Sequence, residues 1–362
     1  MFKKISCFAT LVLAFSFSTS LSYGQLLGLY EFDGGGDGTS WDDATNWEQK
    51  LDPNGLPLAG DPATPPGPVT SADIPLAGVV VDIAGQTALD VNVGTAAGVG
   101  SVTLSAGGAL DIGRDLFVGR DGGGANGGSF NMTGGSLPVG DDITIGAGSA
   151  GSMTMSGGTA SAGDDVFVNA GSSLSVTGGT LTVGDRLISD DDGVVSVDGG
   201  DVVANDDFFF YGSSQITVDS GSMIVKDKLR FDNVLTTGLL TINDGLVRSQ
   251  EFGFHDGVSY VMNGTLEVNG GGIYQSEAPG PTSPVSQLSV AHAKHLINIG
   301  TITTSEVFPL GLIVSSVIVP DFFGSPNLEF TQISIGIVPE PTSLALLSIG
   351  AMGLVMRRRR SR

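Results

Sequence analysis

The stretch GGTLTVGDRLISD, Gly178 to Asp190, recurs along this chain in altered form. GGSLPVGDDITIG begins at Gly134, GGTASAGDDVFVN at Gly157 and GGDVVANDDFFFY at Gly199. Each copy holds a glycine pair, two short alternating runs and an acidic corner between them. With the second glycine as origin the series is Gly108, Gly135, Gly158, Gly179 and Gly200, continued by Gly221 and Gly245. The spacings are 27, 23, 21, 21, 21 and 24 residues. Such a period marks a solenoid, whose units bury their apolar faces on one another.

Strand side chains alternate between faces, so the register can be tested position by position. Five and three residues before the origins stand Phe130/Met132, Met153/Met155, Leu174/Val176, Val195/Val197, Ile216/Val218 and Leu240/Ile242. Two and four residues after them stand pairs such as Leu137/Val139, Ala160/Ala162 and Leu181/Val183. Eight and ten after come Ile143/Ile145, Val166/Val168, Leu187/Ser189 and Phe208/Phe210. Six inward columns in three strands predict a right-handed parallel β-helix with a repeat of about 21 residues over 96–272. The glycine pair turns the first corner, where positive φ carries no steric cost. The acidic pair turns the second.

Composition supports an all-β chain. Of 362 residues 56 are glycine, without a collagen period, and helix formers are scarce. The net charge is −22. Of the 16 Lys and Arg, seven lie at the ends: Lys3, Lys4, Arg357 to Arg360 and Arg362. The body between them repels nucleic acid and anionic membranes, which leaves cations, basic partners or neutral glycans. The single cysteine, Cys7, excludes a disulfide framework or cysteine metal site in the body.

Two columns are candidates for function. Asp141, Asp164, Asp185, Asp206 and Asp227 stack at the second corner, with Asp115, Asp142, Asp165 and Asp207 beside them. Like charges about 4.8 Å apart need an offset. Backbone amides of the turns are one, with no cofactor needed; Ca2+ held by the five stacked aspartates is the other. Nine residues after the origins, at outward positions, stand Phe117, Thr144, Phe167, Ile188, Phe209 and Arg230. Phe117, Phe167, Ile188 and Phe209 form an apolar ridge, to be covered by the C-terminal segment or by a partner or glycan.

Both ends read as addresses. Residues 1–24 have two lysines, an apolar run and small polar residues, the layout of a secretory signal peptide. The tail, 338–362, has Pro339-Glu340-Pro341, an apolar run from Leu344 to Met356, then Arg357, Arg358, Arg359 and Arg360. It resembles the PEP-CTERM sorting signal of Gram-negative bacteria. The resemblance implies an exosortase-type transpeptidase as partner and processing near Pro339 to Pro341. It also implies a transient inner-membrane anchor through a short transmembrane helix, and delivery to the envelope or surface of cells that make exopolysaccharide.

Residues 25–95 hold Trp41 and Trp47 in the pattern W-x-x-x-x-N-W. This resembles the opening of β-helical repeats in autotransporter-associated and PEP-CTERM surface proteins. A cap over the first coil is expected, with a carbohydrate-binding tryptophan pair as the alternative. Residues 273–337 contain further apolar runs, read as closing coils or as a small β-cap.

The sequence reads as an exported structural or adhesive protein that associates with exopolysaccharide or other surface proteins, and not as an enzyme. A β-helical polysaccharide lyase or hydrolase is the alternative. Its acid pairs fall at a repeated corner that turn chemistry explains. Lys226, Asp227, Lys228 and Arg230 form the only basic and acidic cluster, and His255, His292 and His295 lack metal-site spacing.

Overall fold

The computed structural model describes residues 28–51, 60–120, 127–231, 237–253, 265–277, 293–294, 297, 302–304, 310–319 and 328–337. The signal-peptide reading of 1–24, the three histidines, and the sorting residues Pro339 to Pro341 and Arg357 to Arg360 lie outside them.

The chain winds into a parallel β-solenoid of about 8 turns. The repeat register is the pairing register. Phe130 pairs with Met153, Met153 with Leu174, Leu174 with Val195, and Val195 with Ile216. Leu137, Ala160, Leu181, Val202 and Met223 form the matching ladder on the second strands. Ile143, Val166, Leu187, Phe208 and Leu229 form it on the third. All pairs are parallel, as coils wound in one direction require.

The three ladders enclose one continuous core. Leu174, Leu181 and Leu187 are fully buried, as are their equivalents above and below. Each such side chain contributes about 1.5–3 kcal/mol relative to exposure. Volume is traded within a coil, with Ala160 and Ala162 sharing a turn with Met153 and Met155. Two turns on, Phe208, Phe210 and Phe231 stack at centroid distances of 4.6 and 4.5 Å. Ser189 takes an inward position by donating its hydroxyl to the Gly193 carbonyl, 3.3 Å away.

Parallel pairing starts upstream of the glycine register. Ala72 pairs with Val91 and Val91 with Leu116, while Val79 pairs with Val102. These first coils escape the glycine period because both corners are shorter: four residues without a glycine pair run between Val81 and Gln86, against five between Leu104 and Leu110. Ala88-Leu89-Asp90-Val91 lies beside Ile112-Gly113-Arg114-Asp115-Leu116.

Both ends of the stack are closed differently from its middle. At the start, Leu29–Phe32 pairs antiparallel with Trp47–Leu51 and parallel with Ser71–Ile74. At the other end, Leu328–Ile337 runs antiparallel against Ile273–Glu277 and against Leu310–Val319. The apolar runs after residue 300 thus include a small β-cap on the second-strand sheet. Phe330 is buried there with Ile224, Val317 and Leu328 against it and the Arg248 guanidinium 5.8 Å from its ring centre.

Candidate functional site

The second corner is built from a glycine column followed by two polar columns. Gly113, Gly140, Gly163 and Gly184 lie one above another. A Cβ on Gly163 would stand 2.1 Å from the Gly140 carbonyl oxygen, and one on Gly184 only 1.9 Å from that of Gly163. Coils therefore approach here too closely for a side chain. The outer polar column is Arg114, Asp141, Asp164, Asp185, Asp206 and Asp227. The inner one is Asp90, Asp115, Asp142, Asp165, Arg186, Asp207 and Lys228.

The two columns satisfy the backbone in different ways. In the outer column peptide bonds to peptide. Asp164 N donates to Asp141 O at 3.1 Å, Asp185 N to Asp164 O at 2.8 Å, and Asp206 N and Asp227 N continue at 3.0 Å. In the inner column the carboxylate replaces the peptide carbonyl. Asp165 N donates to Asp142 Oδ1 at 3.0 Å, Arg186 N to Asp165 Oδ1 at 2.9 Å, and Lys228 N to Asp207 Oδ1 at 2.8 Å. The amide reading of the acid column therefore describes the inner aspartates, and their donors come from the next coil.

Basic side chains interrupt the column and meet its acids. Arg114 reaches Asp90 with two contacts, Nε–Oδ1 at 2.7 Å and Nη2–Oδ2 at 2.6 Å. Arg186 grips Asp165 in the same manner, and its Nε lies 3.4 Å from Asp185 Oδ2. Lys228 Nζ is 2.9 Å from Asp227 Oδ2, and Arg230 Nη2 is 3.9 Å from Asp207 Oδ2. These pairs were missed by sequence reasoning; the signal was an arginine or lysine standing where the column calls for aspartate.

The remaining crowding shows in the titration of the acids. Burial pushes the Asp115, Asp142 and Asp207 carboxyls up from their ordinary range. Asp164 is raised first by the charge of Asp165. Asp185 is raised by burial and then by a hydrogen bond with Asp206. Three groups of carboxylates bring oxygens within 4.8 Å of one another: Asp141/Asp142/Asp164, Asp164/Asp165/Asp185 and Asp206/Asp207/Asp227. Each offers three ligand atoms toward the six to eight oxygens that Ca2+ takes. In the second and third, Arg186 and Lys228 already bind a member.

The apolar ridge is a true column. Phe117 pairs with Thr144, Thr144 with Phe167, Phe167 with Ile188, and Ile188 with Phe209. It is less open than outward positions would give. Phe117, Phe167 and Ile188 are half-buried, and Phe209 is only 8% exposed. Arg120 lies over the Phe117 ring at 4.5 Å and Arg230 over Phe209 at 5.4 Å. Of the C-terminal hairpin, Phe330 goes to Ile224 and Arg248 on the second strands, rather than to this ridge.

Trp41 and Trp47 form a lid. Both are buried, with ring centroids 4.9 Å apart in an edge-to-face arrangement, and Phe32 packs edge-on to Trp47 at 5.2 Å. Asn46, fully buried, ties the loop above them. Its Oδ1 accepts from Gly36 N and Gly38 N, both at 2.9 Å, and its Nδ2 donates to Asp37 Oδ1 and the Ser40 carbonyl. Trp41 N and the Val80 carbonyl then close the edge of the first strand at 3.0 Å. Rings buried in this way leave no open face on which a sugar could stack.

Solenoid, lid and hydrogen-bonded corner define a scaffold of the parallel β-helix class. Its destination is carried by the tail: residues 338–360 match the PEP-CTERM protein-sorting motif. That motif implies export through an exosortase-type system to the cell envelope or surface. No curated protein and no solved structure matches the chain. Among the described residues no helix is long and apolar enough to cross a membrane, and the apolar run Leu344 to Met356 lies outside them.

Proposed function

We propose that the protein is a non-catalytic structural or adhesive rod within the extracellular polysaccharide of a Gram-negative envelope, delivered by its signal peptide and sorting tail. The observation that carries this reading is the spacing of the ridge. Phe117 and Phe167, both half-buried, occupy alternate rungs of one outward column, while Phe209 further along it is covered. Rungs about 4.8 Å apart set alternate rings about 9.6 Å apart, close to two sugar units of an extended glycan. Pyranose C–H faces lie flat on aromatic rings, and the flanking Arg120 and Arg230 offer donors to hydroxyl or carboxylate groups. Neutral or weakly acidic polymers suit the acidic body better than strongly anionic ones.

The test is a glycan-array and co-sedimentation screen of the exported protein, with Phe117→Ser/Phe167→Ser as the variant. Binding to a β-linked polymer that the variant loses supports the reading. Equal binding by both proteins, or none by the parent, removes it. Release of reducing ends or unsaturated products would instead favour the lyase or hydrolase alternative.

A further inference from the structure

The strand Leu310–Val319 is paired along one side only, from Leu310 against Ile337 to Val319 against Leu328. Among the described residues no strand lies on its other side. Its sequence, LGLIVSSVIV, has neither a charge nor a proline, the usual devices that stop an open edge from pairing. Two large apolar side chains stand in water on its opposite faces, Ile313 at 37% and Ile318 at 60% exposure. At the other end of the stack the edges are covered, by Leu29–Phe32 against Ser71–Ile74 and by the bridge of Ser40 to Val80.

An occupant of this edge must supply a free row of backbone groups and an uncharged, apolar strand to match LGLIVSSVIV. The strand itself meets both conditions. We propose that Leu310–Val319 pairs antiparallel with the same strand of a second copy, joining two solenoids end to end. This goes beyond the glycan reading and does not depend on it. A two-fold axis normal to the sheet sets residues of one face opposite each other. Placed through Ser315, it sets Ile313 against Val317 of the second copy, and Leu312 against Ile318 of the second copy. Both exposed isoleucines are then covered, both open edges are closed, and the second-strand sheet runs from one molecule into the next. The contact is isologous, so it ends at a dimer and does not grow into a fibre.

Sedimentation velocity of the full-length exported protein, over a range of concentrations, tests this. A dimer is expected, with the dissociation constant raised at least about tenfold in Ile313→Lys/Ile318→Lys. Both sites are exposed, so the thermal melt of the variant should match the parent. Ser315→Cys gives an independent readout, since the axis brings this residue onto itself. Mild oxidation should link two chains through it, whereas Ser334→Cys, on the neighbouring strand, should stay unlinked. A monomer at every concentration overturns the proposal, as does a dimer unaffected by the lysines.

Discussion

Arg186 reaches back one coil to Asp165 by three contacts: its own backbone N–H at 2.9 Å, and Nε and Nη2 at 3.2 and 2.7 Å. The Asp165 side chain is only 5% exposed, so this arginine is the counter-charge of a buried carboxylate. Arg186→Ala should cost about 1–3 kcal/mol in urea unfolding, the range for leaving a buried charged group without its partner. Much of the guanidinium is in water, which keeps the loss below that of a wholly buried pair. Arg186→Lys should recover part of it, because one ammonium cannot replace both guanidinium contacts.

The corner also sets a pH dependence. Asp115, Asp142, Asp164, Asp185 and Asp207 are all raised above the ordinary 3.8, so the folded chain holds protons there that the unfolded chain has lost. Their contribution is full below that ordinary value and fades as pH rises through the raised ones. The lid has the opposite sign. Asp37 and Asp43 are held below the ordinary range, first by hydrogen bonds from Ser40 and Thr45 respectively, and lose stability as pH falls through their folded values. Unfolding midpoints should therefore rise as pH falls from neutrality through the raised corner values, and drop again in stronger acid as the lid carboxylates take up protons. Asp142→Asn should flatten the rise between neutral and mildly acidic pH. A midpoint that climbs steadily toward neutrality contradicts the assignment.

Asn46→Asp is nearly isosteric and tests the lid. The change removes both donors and sets a carboxylate oxygen against Asp37 Oδ1 and the Ser40 carbonyl. A loss of about 3 kcal/mol or more is expected. It should appear with a change in tryptophan fluorescence, since Trp41 and Trp47 are the chain's only tryptophans.

Two glycines separate close approach from backbone conformation. Gly184→Ala forces a methyl into the Gly163 carbonyl and should cost more than about 2 kcal/mol, since the coils must part. Gly171 has open space around it but φ of +69°. Gly171→Ala should cost about 1–2 kcal/mol, the price of a left-handed alanine alone. Equal losses at the two sites, read by thermal melts, would argue against stacked carbonyl contact at the second corner.

The inward columns were legible because a strand has only two faces and the period held near 21 residues over four coils. Leu174, Leu181 and Leu187 follow from counting. The first coils were hidden, because their first corner, Asp82 to Gly85, carries no glycine pair and their second, Leu89-Asp90, lacks a residue. Arg114 and Arg186 were passed over, since their partners Asp90 and Asp165 become neighbours only after winding. The glycines at 113, 140, 163 and 184 were in plain view beside the acids, yet the need for them lies in the coil below. The direction of Leu310–Val319 against Leu328–Ile337 was not readable, because alternation says which side chains point inward and nothing about which strand lies next door.

The tryptophan lid gives the stack a direction. Inner turns have a neighbour on each side, whereas the first has one only on its far side, so Phe32, Trp41 and Trp47 stand in for a missing turn, and a stack stripped of them would present its oily interior at the base.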